Sequence, residues 1–98
     1  MSDRTIGILG LGIFGSSVLT ALAKQDMNII AIDDHAEHIN QFEPVLARGV
    51  VGDITDEELL RTAGIDTCDT VVVATGENLE SSVLAVMHCK SLGVPRVI

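Results

Sequence analysis

Apolar residues fall in short runs separated by polar, glycine-rich punctuation. Ile6-Gly7-Ile8-Leu9 is one such run and ends on a glycine loop. From Phe14 to Gln25 the positions Phe14, Val18, Leu19, Leu22 and Ala23 recur at helical spacing, which predicts a helix with those residues on its buried side. A second apolar run, Asn28 to Ile32, is stopped by Asp33-Asp34, and Ala36 to Phe42 predicts a short polar helix whose extension Pro44 limits. Gly49-Val50-Val51 predicts a third, very short strand. Thr55 and Glu58 stand at the spacing of a capping box, marking a helix from Asp56 to Ala63 with Gly64 as its left-handed stop. Thr70 to Ala74 is β-branched without alternation, as a parallel strand covered on both faces requires. Leu79 to Ser91 predicts another helix, ended by Gly93 and Pro95, and Arg96-Val97-Ile98 begins a fifth strand.

Strands alternating with helices give a parallel sheet through right-handed crossovers. The expected fold is α/β, a Rossmann-like open parallel sheet in the order 3-2-1-4-5 with helices on both faces. Ninety-eight residues make one domain, 1–98, and leave no room for a separate substrate domain. Because the sequence stops on an apolar strand, the domain is expected to be a fragment of a longer protein, truncated before its last strand and helix.

Composition supports a packed core: 47% of residues are hydrophobic while 2% are aromatic, so Ile, Val, Leu and Ala must fill it. Lys+Arg number 6 against 14 Asp+Glu, a formal charge of −8, and the cations are scattered. A phosphate-backbone groove needs a basic stripe, so nucleic acid is not an expected partner. The apolar runs fall far short of the ~20 residues of a membrane span, and Met1-Ser2-Asp3-Arg4 lacks the pattern of a secretory signal. The expectation is a cytoplasmic chain without direct membrane insertion. Cys68 and Cys89 have neither C-x-x-C nor metal-ligand spacing and are expected as buried, reduced thiols.

Gly10-Leu11-Gly12-Ile13-Phe14-Gly15 is a complete G-x-G-x-x-G that follows a strand, opens a helix and is followed by Asp33 at the end of the next strand. In that context Gly10 permits the tight turn, Gly12 lets the backbone approach a pyrophosphate, and Gly15 allows close helix–strand packing. The amides of Ile13 and Phe14 would face phosphate oxygens at the positive end of the helix. The plainer alternative is a glycine turn that serves packing alone. Asp33 is placed to accept from ribose hydroxyls and to repel a 2′-phosphate. Asp34 either shares this role or is a solvated residue starting a loop. Asp53, in Gly52-Asp53-Ile54-Thr55-Asp56, either accepts from an adenine amino group beside the Ile54 backbone or lies in a loop before a Thr55 cap. Ala74-Thr75-Gly76-Glu77-Asn78 either lines a ribose-phosphate site or is an ordinary turn with Asn78 as cap. No metal site is expected. His35 and His38 have a spacing compatible with a shared ion, but no third ligand is identifiable near them in the sequence, and an exposed helical face is the simpler reading. No catalytic set of nucleophile and base can be assembled, and His88 reads as a core or boundary residue.

The segments "IGILGLGIFGSSVLTALAKQDMNIIAID", "GDITDEELLRTAGI" and "DTVVVATGENLESSVLAVMHCKSLG" resemble the RCK N-terminal (KTN) domain of the Trk/Ktr potassium-uptake regulatory proteins, in particular the cytosolic Ktr subunit. The resemblance implies a non-catalytic, ligand-gated regulator that forms homo-oligomers, a dimer or ring, beneath a membrane potassium-translocating subunit. It implies an adenine nucleotide (ATP or ADP) or NAD(H) as ligand. The phosphates would lie on the glycine loop, the ribose on Asp33, the adenine at Asp53 and Ile54, with Ala74, Thr75 and Gly76 along the phosphate side. ATP-responsive members often carry Arg after the second glycine; this chain has Ile13. The alternative reading is the cofactor half of an NAD-dependent oxidoreductase, which the same glycine loop would serve.

Overall fold

In the computed structural model, which describes residues 4–76 and 78–98, five strands form one parallel sheet. The strands are β1 (Thr5–Leu9), β2 (Asn28–Asp33), β3 (Arg48–Val51), β4 (Thr70–Val73) and β5 (Arg96–Val97), in the spatial order β3-β2-β1-β4-β5. Four α-helices, α1 (Ile13–Leu22), α2 (Ala36–Phe42), α3 (Glu57–Ala63) and α4 (Leu79–Ser91), make the crossovers. The expected fold class and strand order are observed. Met1 to Asp3 and Glu77 lie outside the described residues, and with them the beginning of the start segment and one position of the loop after β4.

Strand alternation divides the core into two layers. Ile8, Ile29 and Ala31 point to one face, where Leu19 of α1 and Ile39 of α2 cover them. Leu9, Ile30, Ile32 and Val71 point to the other, under Leu60 and Ala63 of α3 and Ala85 and Cys89 of α4. The chain winds outward from β1 over one face to β3, then crosses back and winds over the other through β4 to β5. The carboxyl ends of β1 and β4 are thereby neighbours from which the chain departs to opposite faces, the switch point at which open α/β sheets leave a crevice.

Local details depart from expectation in three places. Helix α1 ends at Leu22 rather than Gln25: the Gln25 amide bonds the Leu22 carbonyl in a tight turn that lets Met27 pack on the core and β2 start with the Asn28 amide on the Arg4 carbonyl. Phe14 was expected on the buried side, yet it is 62% exposed because the first turn of α1 projects beyond the sheet edge. Thr55 is not the cap of α3. Asp56 holds that position and accepts from the amides of Glu58 and Leu59, an arrangement worth about 1 kcal/mol. The stop at Gly64 is as expected, with φ +96°.

Cys68 and Cys89 are both buried, free thiols in the layer beneath α3 and α4. Burial pushes the Cys68 thiol up to about 12 and that of Cys89 up to about 11, so neither is a nucleophile at neutral pH. A thiol-reactive chromophore should therefore label neither at pH 7.5 in the native chain and both in denaturant. Rapid native labelling would show that this layer opens.

Candidate functional site

At the switch point lies an open groove of about 700 Å³. The glycine loop forms its floor. Gly10 has φ +103°, and a Cβ there would stand 2.4 Å from the Ala74 carbonyl oxygen. A Cβ on Gly15 would stand 1.9 Å from the Gly10 carbonyl oxygen, so these two glycines are demanded by the protein's own packing. Gly12 is different: a Cβ there meets nothing within 4 Å, and φ is an ordinary −72°. Nothing inside the chain requires glycine at that point, and the space it leaves opens on the groove.

Helix α1 begins over that space without a side-chain cap and without an acidic residue in its first turn. Helices α3 and α4, by contrast, are capped by Asp56 and Asn78. The α1 terminus therefore keeps its partial positive charge and open amides for an anion.

Asp33 ends β2 and is 6% exposed. Its Oδ2 accepts from the Leu11 amide at 2.6 Å, tying the glycine loop to β2, and its Oδ1 accepts from the His35 amide at 2.8 Å. Burial disfavours the charge, but the Leu11 and His35 amides and the His35 ring outweigh it and hold the carboxyl below its ordinary range. The His35 ring, hydrogen-bonded to Asp33 and beside Asp34, is pushed up from its ordinary value. Its Nδ1 lies 3.2 Å from Asp33 Oδ1 and 2.7 Å from Asp34 Oδ1, and Nδ1 of His38 lies 3.0 Å from Asp33 Oδ1. Asp33 thus stands where the sequence showed no third group beside the two histidines. The spacing of His35 and His38 directly after the β2 carboxylate was the available signal. His38 is half-buried rather than fully on a solvated face.

The opposite wall comes from the loop after β3. Asp53 is exposed, and its Oδ1 accepts from both the amide and the hydroxyl of Thr55, at 2.8 and 2.7 Å, which lowers its pKa. Of the two readings of this loop, the Thr55 cap is excluded and Asp53 lies on the groove. Ile54 lines the groove and packs on the core. His88 of α4 pins this loop: its Nε2 donates to the Thr55 carbonyl at 2.9 Å, and its Nδ1 lies 3.3 Å from Glu57. The sequence, in which His88 and Thr55 are far apart, carried no sign of this.

Ala74, Thr75 and Gly76 line the side next to the glycine loop, and Asn78 does cap α4 through the Ser81 amide. The Thr75 hydroxyl is committed to the Asn78 carbonyl and to Ser82, so backbone rather than that hydroxyl faces the groove. Asn78 lines it as well, and so do Ser17 and Ser81, which were not singled out from the sequence. Of the candidate residues, Gly10, Gly12, Ile13, Phe14, Asp33, Asp34, Asp53, Ile54, Ala74, Thr75 and Gly76 share the groove, while Gly15 is buried beneath its floor. Among the described residues, no Lys or Arg lines it.

This chain belongs to the TrkA-N domain family, whose model matches residues 6–98. It is 35% identical over 93% of its length to the Ktr system potassium uptake protein C of Bacillus subtilis, of which it covers 41%. The chain therefore spans less than half the length of that relative, a potassium uptake protein. Among solved structures, the Kef C-terminal domain of Shewanella denitrificans in its AMP-bound form superposes with a TM-score of 0.78 at 21% identity, over 96% of this chain and 57% of that one. The TrkA-N domain of the inner membrane protein ybaL from Escherichia coli superposes at 0.69 and 15% identity, over 100% and 87%. Both show the same fold. Among the described residues, no helix is long and apolar enough to cross a membrane.

The glycines separate packing from binding. Gly12→Ala should melt close to the wild type, because its Cβ enters open space, whereas Gly15→Ala should lose roughly 1–3 kcal/mol or more through the clash with Gly10. Thermal unfolding of the two variants checks this, and equal losses would contradict the assignment of Gly12 to the groove.

Proposed function

We propose that this chain is a non-catalytic, nucleotide-binding regulatory domain of a potassium uptake system. The observation that carries the reading is Gly12, a glycine with no internal packing requirement, beneath the uncapped terminus of α1 and opposite a buried carboxylate. An adenine nucleotide (ATP or ADP) or NAD(H) fits this arrangement. The phosphates take the Ile13 and Phe14 amides, the ribose hydroxyls donate to Asp33 Oδ1, and the base reaches the Asp53 and Ile54 wall. The family and the potassium-uptake relative support the regulatory role. The AMP in the Shewanella denitrificans relative supports an adenine nucleotide.

As a regulator, the domain acts as a homo-oligomer on the cytoplasmic face of a membrane potassium-translocating subunit. Ligand must bind one assembly shape more tightly than another, since equal affinity for both shifts nothing. The differential element is the groove itself, whose two walls, Asp33 on β2 and Asp53 after β3, a nucleotide would bridge.

Calorimetric titration with ATP, ADP, NAD and NADH at fixed salt and magnesium tests the reading. Saturable binding of at least one is expected. Asp33→Asn, which retains an acceptor for the Leu11 amide, should weaken it roughly tenfold or more through loss of a charge-assisted ribose contact. Asp53→Ala should weaken it by a few-fold, about 1 kcal/mol or less, because Asp53 is exposed. Absence of binding by all four would remove the proposal. Tight NADH binding alone, with hydride transfer to an added substrate, would favour an oxidoreductase.

A further inference from the structure

We propose that Asp33, His35 and His38 form a binding site for a divalent transition metal of the zinc, cobalt and nickel type. The inference rests on their geometry and stands whether or not the groove takes a nucleotide. One oxygen of Asp33 and one ring nitrogen from each histidine lie within 4.8 Å of one another. Nδ1 of His35 and Nδ1 of His38 are 3.2 and 3.0 Å from Asp33 Oδ1. Metal–nitrogen bonds of 2.0–2.1 Å in a tetrahedron place donor atoms about 3.3 Å apart, close to both separations from Asp33 Oδ1, so a small reorientation of the rings about a shared centre would admit an ion.

The donor set selects the class of metal. Two imidazoles and one carboxylate suit borderline divalent ions, while calcium and magnesium favour all-oxygen shells. Three protein ligands leave a fourth position, and Asp34 Oδ1, 2.7 Å from His35 Nδ1, stands beside it at the groove. In the free chain the rings donate Nδ1–H to the carboxylates; on uptake those Nδ1 protons are released to solvent, each ring carries its remaining proton at Nε2, and the Nδ1 lone pair faces the ion.

The site has a supported, buried anchor in Asp33, beside a half-buried His38 and an exposed His35. The carboxylate is buried and oriented by two backbone amides, Leu11 on Oδ2 and His35 on Oδ1. Such outer hydrogen bonds fix a ligand's direction and raise its basicity. Among the described residues, three carboxylates and no Lys or Arg line the groove, so its field attracts a cation. A metal held here uses the Oδ1 that a ribose would need, which makes metal and nucleotide antagonists at Asp33.

Cobalt(II) titration of the intact chain, followed by its visible ligand-field absorption and then by zinc displacement, tests the site. Saturable uptake of one cobalt per chain is expected. His35→Ala and His38→Ala should each weaken it beyond the roughly 10-fold to 100-fold that outer-sphere partners are worth. The double variant should lose it. Absence of saturable uptake, or unchanged uptake by the double variant, would overturn the proposal. The wild type alone gives a second measurement that no folding defect can disturb: on adding zinc, the imidazole nitrogen resonances of His35 and His38 should move while those of His88 stay. Movement of none of them, or of His88 equally, would also overturn it.

Discussion

The hydrogen bond from the Leu11 amide to the Asp33 carboxylate joins the glycine loop after β1 to the end of β2, and everything at the groove depends on it. A buried carboxylate is costly unless its oxygens are satisfied. Here the satisfaction comes from the backbone amides of Leu11 and His35 and from the neighbouring histidine rings. The bond fixes the glycine loop against the end of β2, while Gly10 folds under the Ala74 carbonyl and Gly15 under Gly10. With the loop held from three sides, the first turn of α1 has one direction in which to point.

That direction gives the groove opposed electrostatic surfaces. Its floor is an uncapped helix terminus with open amides, favourable to anions. Its walls carry Asp33, Asp34 and Asp53, with no Lys or Arg among the described lining residues. An anion can approach by the floor, but its more distant charges meet carboxylates unless a cation comes with it. Ile13, 93% exposed at the mouth, contributes no charge to change that balance. For the nucleotide proposed above, discrimination would therefore depend on how charge is distributed along the groove.

The two walls are supported independently. The β2 side is held by amide bonds to Asp33. The β3 side is held from across the fold, by His88 of α4 on the Thr55 carbonyl and by the Asp56 cap at the start of α3. A ligand spanning both would couple α2 on one face of the sheet to α3 and α4 on the other. For the regulatory role proposed above, this would be the route by which occupancy of a small groove biases the arrangement of the domain.

Periodicity and punctuation in the sequence determined the strand–helix alternation, the parallel sheet and its order, because side-chain burial in this fold follows local pattern and the crossover has one hand. They also located the glycine loop and Asp33, since a positive φ and a carboxylate at a strand end are local properties. Contacts set by where distant segments meet were decided by the tertiary structure. Phe14 has helical spacing but lies beyond the sheet, so its exposure depends on where the core ends. Asp56 rather than Thr55 caps α3 because the Thr55 hydroxyl is already bound to Asp53. The convergence of Asp33, His35 and His38, and the grip of His88 on the Thr55 carbonyl, need the curl of the chain after β2 and the packing of α4 beside α3. Residue order does not encode those distances; they arise when the two buried layers close on the sheet.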